Sequence, residues 1–101
     1  WEGAEVERER LRSLFHKAAL DVAQYHLDHQ DLDTARAHCE RLLIDDPAAE
    51  PGHRIAMRIH AAKGDRSALV RQYKLCRRAL KEDLDVEPSP ETEQLYKDLK
   101  H

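Results

Sequence analysis

Glycine, proline and aromatic residues are scarce in this chain, and each shortage closes off a class of structure. Three glycines and four prolines are all that punctuate 101 residues. Five aromatic residues, with few Val, Ile or Thr, are too little strand-forming material for a sheet protein. No apolar run approaches the roughly 18 residues a membrane span needs, and no secretory leader pattern opens the chain. The two cysteines, Cys39 and Cys76, are too few for a disulfide framework. Both fall on apolar helix faces, so they are read as buried free thiols of a cytoplasmic protein.

Helix formers fill the space left: Ala, Leu, Arg and Glu dominate. Charge is plentiful but sorted along the chain. Residues 1–52 carry −6, residues 53–81 carry +8 with Asp65 as their one acid, and residues 82–101 carry −5.

The clearest pattern is a repeat. With Gln30 set over Gly64, the halves run in step thirty-four residues apart. His26 then meets His60, Ala35 meets Leu69, Cys39 meets Tyr73 and Leu42 meets Cys76. A period of about 34 with a small residue early in the second helix is the tetratricopeptide signature. The spacing predicts a first helix from about Ala4 to Leu27 or Asp28, with Leu11, Leu14, Phe15, Ala18, Val22 and Tyr25 as its apolar stripe. This helix is longer than a repeat needs, so its N-terminal half is expected to pack on something else, such as an upstream domain.

Asp31 or Asp33 caps the second helix, whose seam is Ala35, Cys39, Leu42 and Leu43. Asp45-Asp46-Pro47 ends it. Pro51 opens the third helix, striped by Ile55, Ala56, Ile59 and Ala62, and Gly64 takes positive φ at its end. The fourth runs from about Arg66 to Leu84, with Leu69, Tyr73, Cys76, Leu80 and Leu84 inward. Ser89-Pro90-Glu91-Thr92 starts a short fifth helix that buries Leu95, Tyr96 and Leu99 and caps the solenoid. The expected fold is all-α: a tetratricopeptide-like helical repeat of two helix pairs plus a C-terminal capping helix. It forms one domain over residues 1–101, with core repeats 19–84 and cap 90–100.

The run Asp83-Leu84-Asp85-Val86-Glu87-Pro88-Ser89-Pro90-Glu91-Thr92, followed by Leu95-Tyr96, resembles the closing segment of the bacterial transcriptional activator domain of SARP-type regulators. Trp1, Glu7 to Arg12, Arg41-Leu42-Leu43, Asp46-Pro47, Glu50, His53-Arg54, Gly64-Asp65-Arg66, Gln72-Tyr73 and Arg77-Arg78 agree in order. Asp85 and Gln30 stand where that family usually has glycine, so each is expected to accept a left-handed conformation. In the family this module normally follows a winged helix-turn-helix, which these residues do not contain. The abrupt start at Trp1 is read as the tail of a preceding segment, making this a domain excised from a longer regulator.

Seven histidines invite a metal reading, above all His26, His29 and His38 with Cys39. They lack the converging, recognisably spaced ligands that zinc requires, and no metal or other cofactor is expected. Asp28, Asp31 and Asp33 lack the loop of a calcium site and are read as helix-capping acids. Ser13 near His16 has no orienting third group, so no enzyme activity is expected. The basic stretch from Arg54 to Lys81 is the strongest functional candidate, with Arg71, Lys74, Arg78 and Lys81 as a contact ridge on the fourth helix. Its partners would be protein, namely RNA polymerase, an adjoining DNA-binding domain or another protomer, or the DNA backbone through weak contacts. His26, His53, Met57 and His60 are candidates to line a concave peptide groove.

The resemblance implies a non-catalytic regulatory and interaction module of a bacterial transcriptional activator. Two other readings are a stand-alone tetratricopeptide-type peptide-binding adaptor and a small-molecule sensor.

Overall fold

The computed structural model describes residues 2–101; the expectation placed on Trp1 lies outside them. Five helices follow one another: α1 (Glu2–Asp28), α2 (Leu32–Asp45), α3 (Glu50–Ala62), α4 (Arg66–Leu84) and α5 (Pro90–Lys100). The architecture is the all-α, tetratricopeptide-like repeat, with α1/α2 and α3/α4 as the pairs and α5 packed on α3 and α4.

The thirty-four-residue period is visible in the hydrogen bonds of the two turns. Gln30 has φ 60° and Gly64 has φ 70°. Asp31 N–H donates to the His26 carbonyl at 2.8 Å, and Asp65 N–H donates to the His60 carbonyl at 2.9 Å. Gln30 N–H reaches the Leu27 carbonyl and Gly64 N–H the Ala61 carbonyl, both at 3.0 Å. Each turn therefore closes its helix with the same pair of bonds around a left-handed residue, which satisfies carbonyls that the helix end would orphan. The aspartate that follows then caps the next helix: Asp31 accepts from Thr34 N and Asp65 from Ala68 N. Asp33, the other candidate cap, instead meets Lys63 Nζ at 2.7 Å.

Helix α3 is the centre. It touches the other four helices and buries Gly52, His53, Ile55, Ala56, Met57 and Ile59. Ala23, Ala35, Cys39, Ile55 and Ile59 form a core that joins the two repeats, with Leu20, Leu27 and Leu32 against it. Gly52 sits close under α2: a Cβ there would stand 3.1 Å from Leu42 Cδ2 and 3.2 Å from Leu43 Cδ2, so those methyls would have to give by a few tenths of an ångström. Both cysteines are free and buried, and burial pushes each thiol up to about 12.

Three expectations about burial need correction. The apolar stripe of α1 is not its inner face: Phe15 is 73% and Tyr25 57% exposed, and Leu11, Leu14 and Val22 are also exposed. The chain's own core takes the neighbouring line instead: Ala23 is buried against Ala35, Cys39, Ile55 and Ile59, with Leu20 and Leu27 packed beside it. Leu84 and Ala62 lie at helix ends beyond their partners and are exposed. On α5 the fully buried residue is Thr92, while Leu95, Tyr96 and Leu99 are half-buried.

Candidate interaction surfaces

The Glu-Pro-Ser-Pro-Glu-Thr run does its work by holding α5. Ser89 caps that helix, and Pro90 opens its first turn. Glu50, at the start of α3, accepts hydrogen bonds from Ser89 N and Ser89 Oγ at 2.8 Å each, and from Thr92 Oγ1. Arg54 Nη1 donates to Thr92 Oγ1 at 3.0 Å and sits 3.8 Å from the Glu50 carboxylate. Burial would push Glu50 up, but the bonds from Thr92 and Ser89 and the Arg54 charge outweigh it and hold the carboxyl below its ordinary range. On the other side Tyr73 and Tyr96 stack at 3.9 Å, and Tyr73 Oη donates to Glu93 at 2.5 Å. This latch is structural. Sequence reading missed the part Glu50 plays in it, because nothing local links an acid to a serine thirty-nine residues away.

The four residues expected to line a peptide groove do not share an open surface. Met57 is 0% and His53 4% exposed, since α3 is enclosed by its neighbours. His53 Nε2 lies 2.7 Å from the Pro47 carbonyl, which can only accept, so that nitrogen carries the proton. His53 Nδ1 then accepts from Gln72 Nε2 at 2.8 Å, and Gln72 Oε1 faces His60 Nε2 at 3.2 Å. Burial pushes His53 down and keeps it neutral. His26 is separate: half-buried, stacked on His38 and 3.4 Å from Asp31. Among the described residues no group of three or more His, Cys, Asp or Glu is placed to hold a metal ion.

Arg71, Lys74, Arg78 and Lys81 are all exposed, and their spacing sets them along one side of α4. Lys74, Arg78 and Lys81 join Arg77 and Glu87 around a shallow hollow of about 370 Å³; Arg71 lies outside it. Lys81 pairs with Asp85 at 2.8 Å and Arg77 approaches Glu87 at 4.0 Å. Arg71, Lys74 and Arg78 make no ion pair among the described residues. The left-handed turn at Asp85 (φ 53°) brings the following segment back beside the ridge.

A second surface lies between α1 and α2, an open groove of about 800 Å³. Its apolar wall is Leu11, Phe15, Ala18, Ala19, Val22 and Leu42, and Arg8, Arg12, His16, His38, Arg41 and Asp45 border it. The end of α2 is pinned to the middle of α1. Arg12 Nη2 donates to the Asp45 carbonyl at 3.0 Å, and His16 Nε2 meets the Asp45 carboxylate at 2.5 Å. The bond to His16 and the Arg12 charge together hold Asp45 below the usual carboxylate range.

The sequence profile of the family described as bacterial transcriptional activator domain matches residues 2–100. Neither the curated proteins nor the solved structures give a match.

Proposed function

The chain belongs to the bacterial transcriptional activator domain family, and from that membership we propose that it is the non-catalytic interaction module of a cytoplasmic transcriptional activator. The module presents a rigid helical surface that orients an adjoining DNA-binding domain and contacts RNA polymerase. The observation that carries this reading is the α4 ridge, where Arg71, Lys74 and Arg78 stand exposed with no ion pair among the described residues, the latter two at the edge of a shallow hollow. Cations held this way on a rigid helix steer an acidic partner and fix its register more than they add affinity. Contact with the DNA backbone would use the same charges but would weaken steeply with salt.

The test tethers the domain to an unrelated DNA-binding protein upstream of a core promoter. Transcription is expected to rise several-fold, and to return to basal level in the Arg71→Glu, Lys74→Glu, Arg78→Glu variant. A wild-type domain that does not activate when tethered overturns the reading. Anisotropy with random duplex DNA at two salt concentrations reads the other use of the ridge. Salt-sensitive binding that the variant loses would reassign the ridge to phosphates.

A further inference from the structure

Helix α1 has 27 residues and so is about 40 Å long, whereas α2 has 14 and is about 21 Å. Because Asp45, at the end of α2, is fixed to Arg12 and His16, α1 runs on past its partner toward Glu2. Along the uncovered side Leu11, Phe15, Ala18, Val22 and Tyr25 follow one another at steps of four, three, four and three. Steps alternating in this way average 3.5 residues and form a straight seam of the kind one helix offers to another. The seam is wet here, since Phe15 is 73% and Leu11 52% exposed. Isolated exposed apolar residues need no explanation, but a continuous stripe along a groove does.

The border of the groove has a sign. Three arginines, Arg8, Arg12 and Arg41, face one carboxylate, Asp45, and that carboxylate is already engaged by Arg12 and His16. Arg8 and Arg41 have no acidic partner among the described residues. We infer that this groove receives an amphipathic helix of a partner protein, apolar on the side it buries and flanked by Asp and Glu that pair with Arg8 and Arg41. Helix-in-groove binding of this type reads apolar anchors at helical spacing and uses charge to choose the partner. A second copy of this chain is a poorer occupant. An isologous contact would set two arginine-bordered grooves against each other and bring like charges together. The inference rests on the reading of the domain as a protein-interaction module, but it does not depend on the α4 ridge.

The probe is a labelled helical peptide of about four turns, with leucine along one face and glutamate on both flanks, beside its lysine-flanked counterpart. Anisotropy titrations of the domain should show the acidic peptide binding at least about tenfold more tightly than the basic one. Phe15→Glu, at an exposed position that leaves the helical circular dichroism unchanged, should weaken binding by at least about tenfold. Arg8→Glu with Arg41→Glu should reverse the preference between the peptides, which a merely structural role for these arginines would not do. The ridge variant should bind the acidic peptide as wild type does. Equal affinity for both peptides, or binding of neither, overturns the inference. If tethered activation persists in that case, the groove assignment fails and the interaction module stands. A wild-type dimer that Phe15→Glu splits, seen by sedimentation, overturns it in favour of a second copy.

Discussion

Gln30, Gly64 and Asp85 each end a helix at positive φ, and only Gly64 does so without a Cβ. A residue with a Cβ in that region is strained by about 1 kcal/mol, somewhat less for Asp and Asn, while glycine is not. No atom lies within 4 Å of a Cβ built at Gly64, so its substitution would cost conformation alone. Gln30→Gly is therefore expected to stabilise the domain by about 0.5–1 kcal/mol and Gly64→Ala to destabilise it by about 1 kcal/mol. Urea unfolding at neutral pH measures both. Unchanged midpoints would mean that the turns, not their residues, absorb the strain. Gly64 and Gln30 were legible in the sequence because glycine at 64 marks the turn and the repeat carries that mark back to Gln30, whereas Asp85 was legible only through the family resemblance.

At the scale of the element, α5 is seated by a hydrogen-bonded latch as well as by partial apolar burial. Its leucines are half-buried, and Thr92 alone is fully enclosed. Glu50 gathers three of those bonds on one carboxylate. Removing it leaves the Arg54 charge and the Ser89 and Thr92 hydroxyls short of a partner. Glu50→Ala is expected to cost about 2–4 kcal/mol. Hydrogen exchange should show the α5 amides losing protection before those of α3. If the α3 and α5 amides fall together, the latch is part of the core and not a separate unit. The start of α5 was readable from Ser89-Pro90, a local capping pattern. Its seat was not, because that depends on a residue brought close by the two helices between.

For the whole molecule, the shifted groups set a pH profile. His53 is pushed down from 6.5 by burial, so the unfolded chain takes up a proton there before the folded one does. Stability it supports is complete above pH 6.5 and is lost as pH falls through its lower folded value. Glu50, Asp33 and Asp45 are held below their ordinary values by Thr92 and Ser89, by Lys63, and by His16 with Arg12. Their contribution is present above the ordinary carboxylate range and disappears below it. Two steps of acid destabilisation should follow, a shallow one below pH 6.5 and a steeper one below about pH 4. Thermal unfolding across this range checks it, and His53→Gln should remove the first step while leaving the second. A first step that survives in that variant would assign it to another histidine.

The sequence by itself determined the five helices, the thirty-four-residue period, the turns at Gln30 and Gly64, and the family. All of these depend on residues within a few positions of one another or on a repeat that can be overlaid. The choice of Asp31 over Asp33 as the cap of α2 fell to the structure. Tertiary structure decided which face each helix buries. Periodicity marks an apolar stripe on α1 but cannot tell whether this chain covers it. The stripe from Leu11 to Tyr25 stays open because α1 turns the line Leu20, Ala23 and Leu27 toward the core it shares with α2 and α3. The central place of α3, in contact with all four other helices, encloses Met57 and His53, which spacing alone placed on a groove. Burial depends on where every other element lies, and residue spacing carries no record of that.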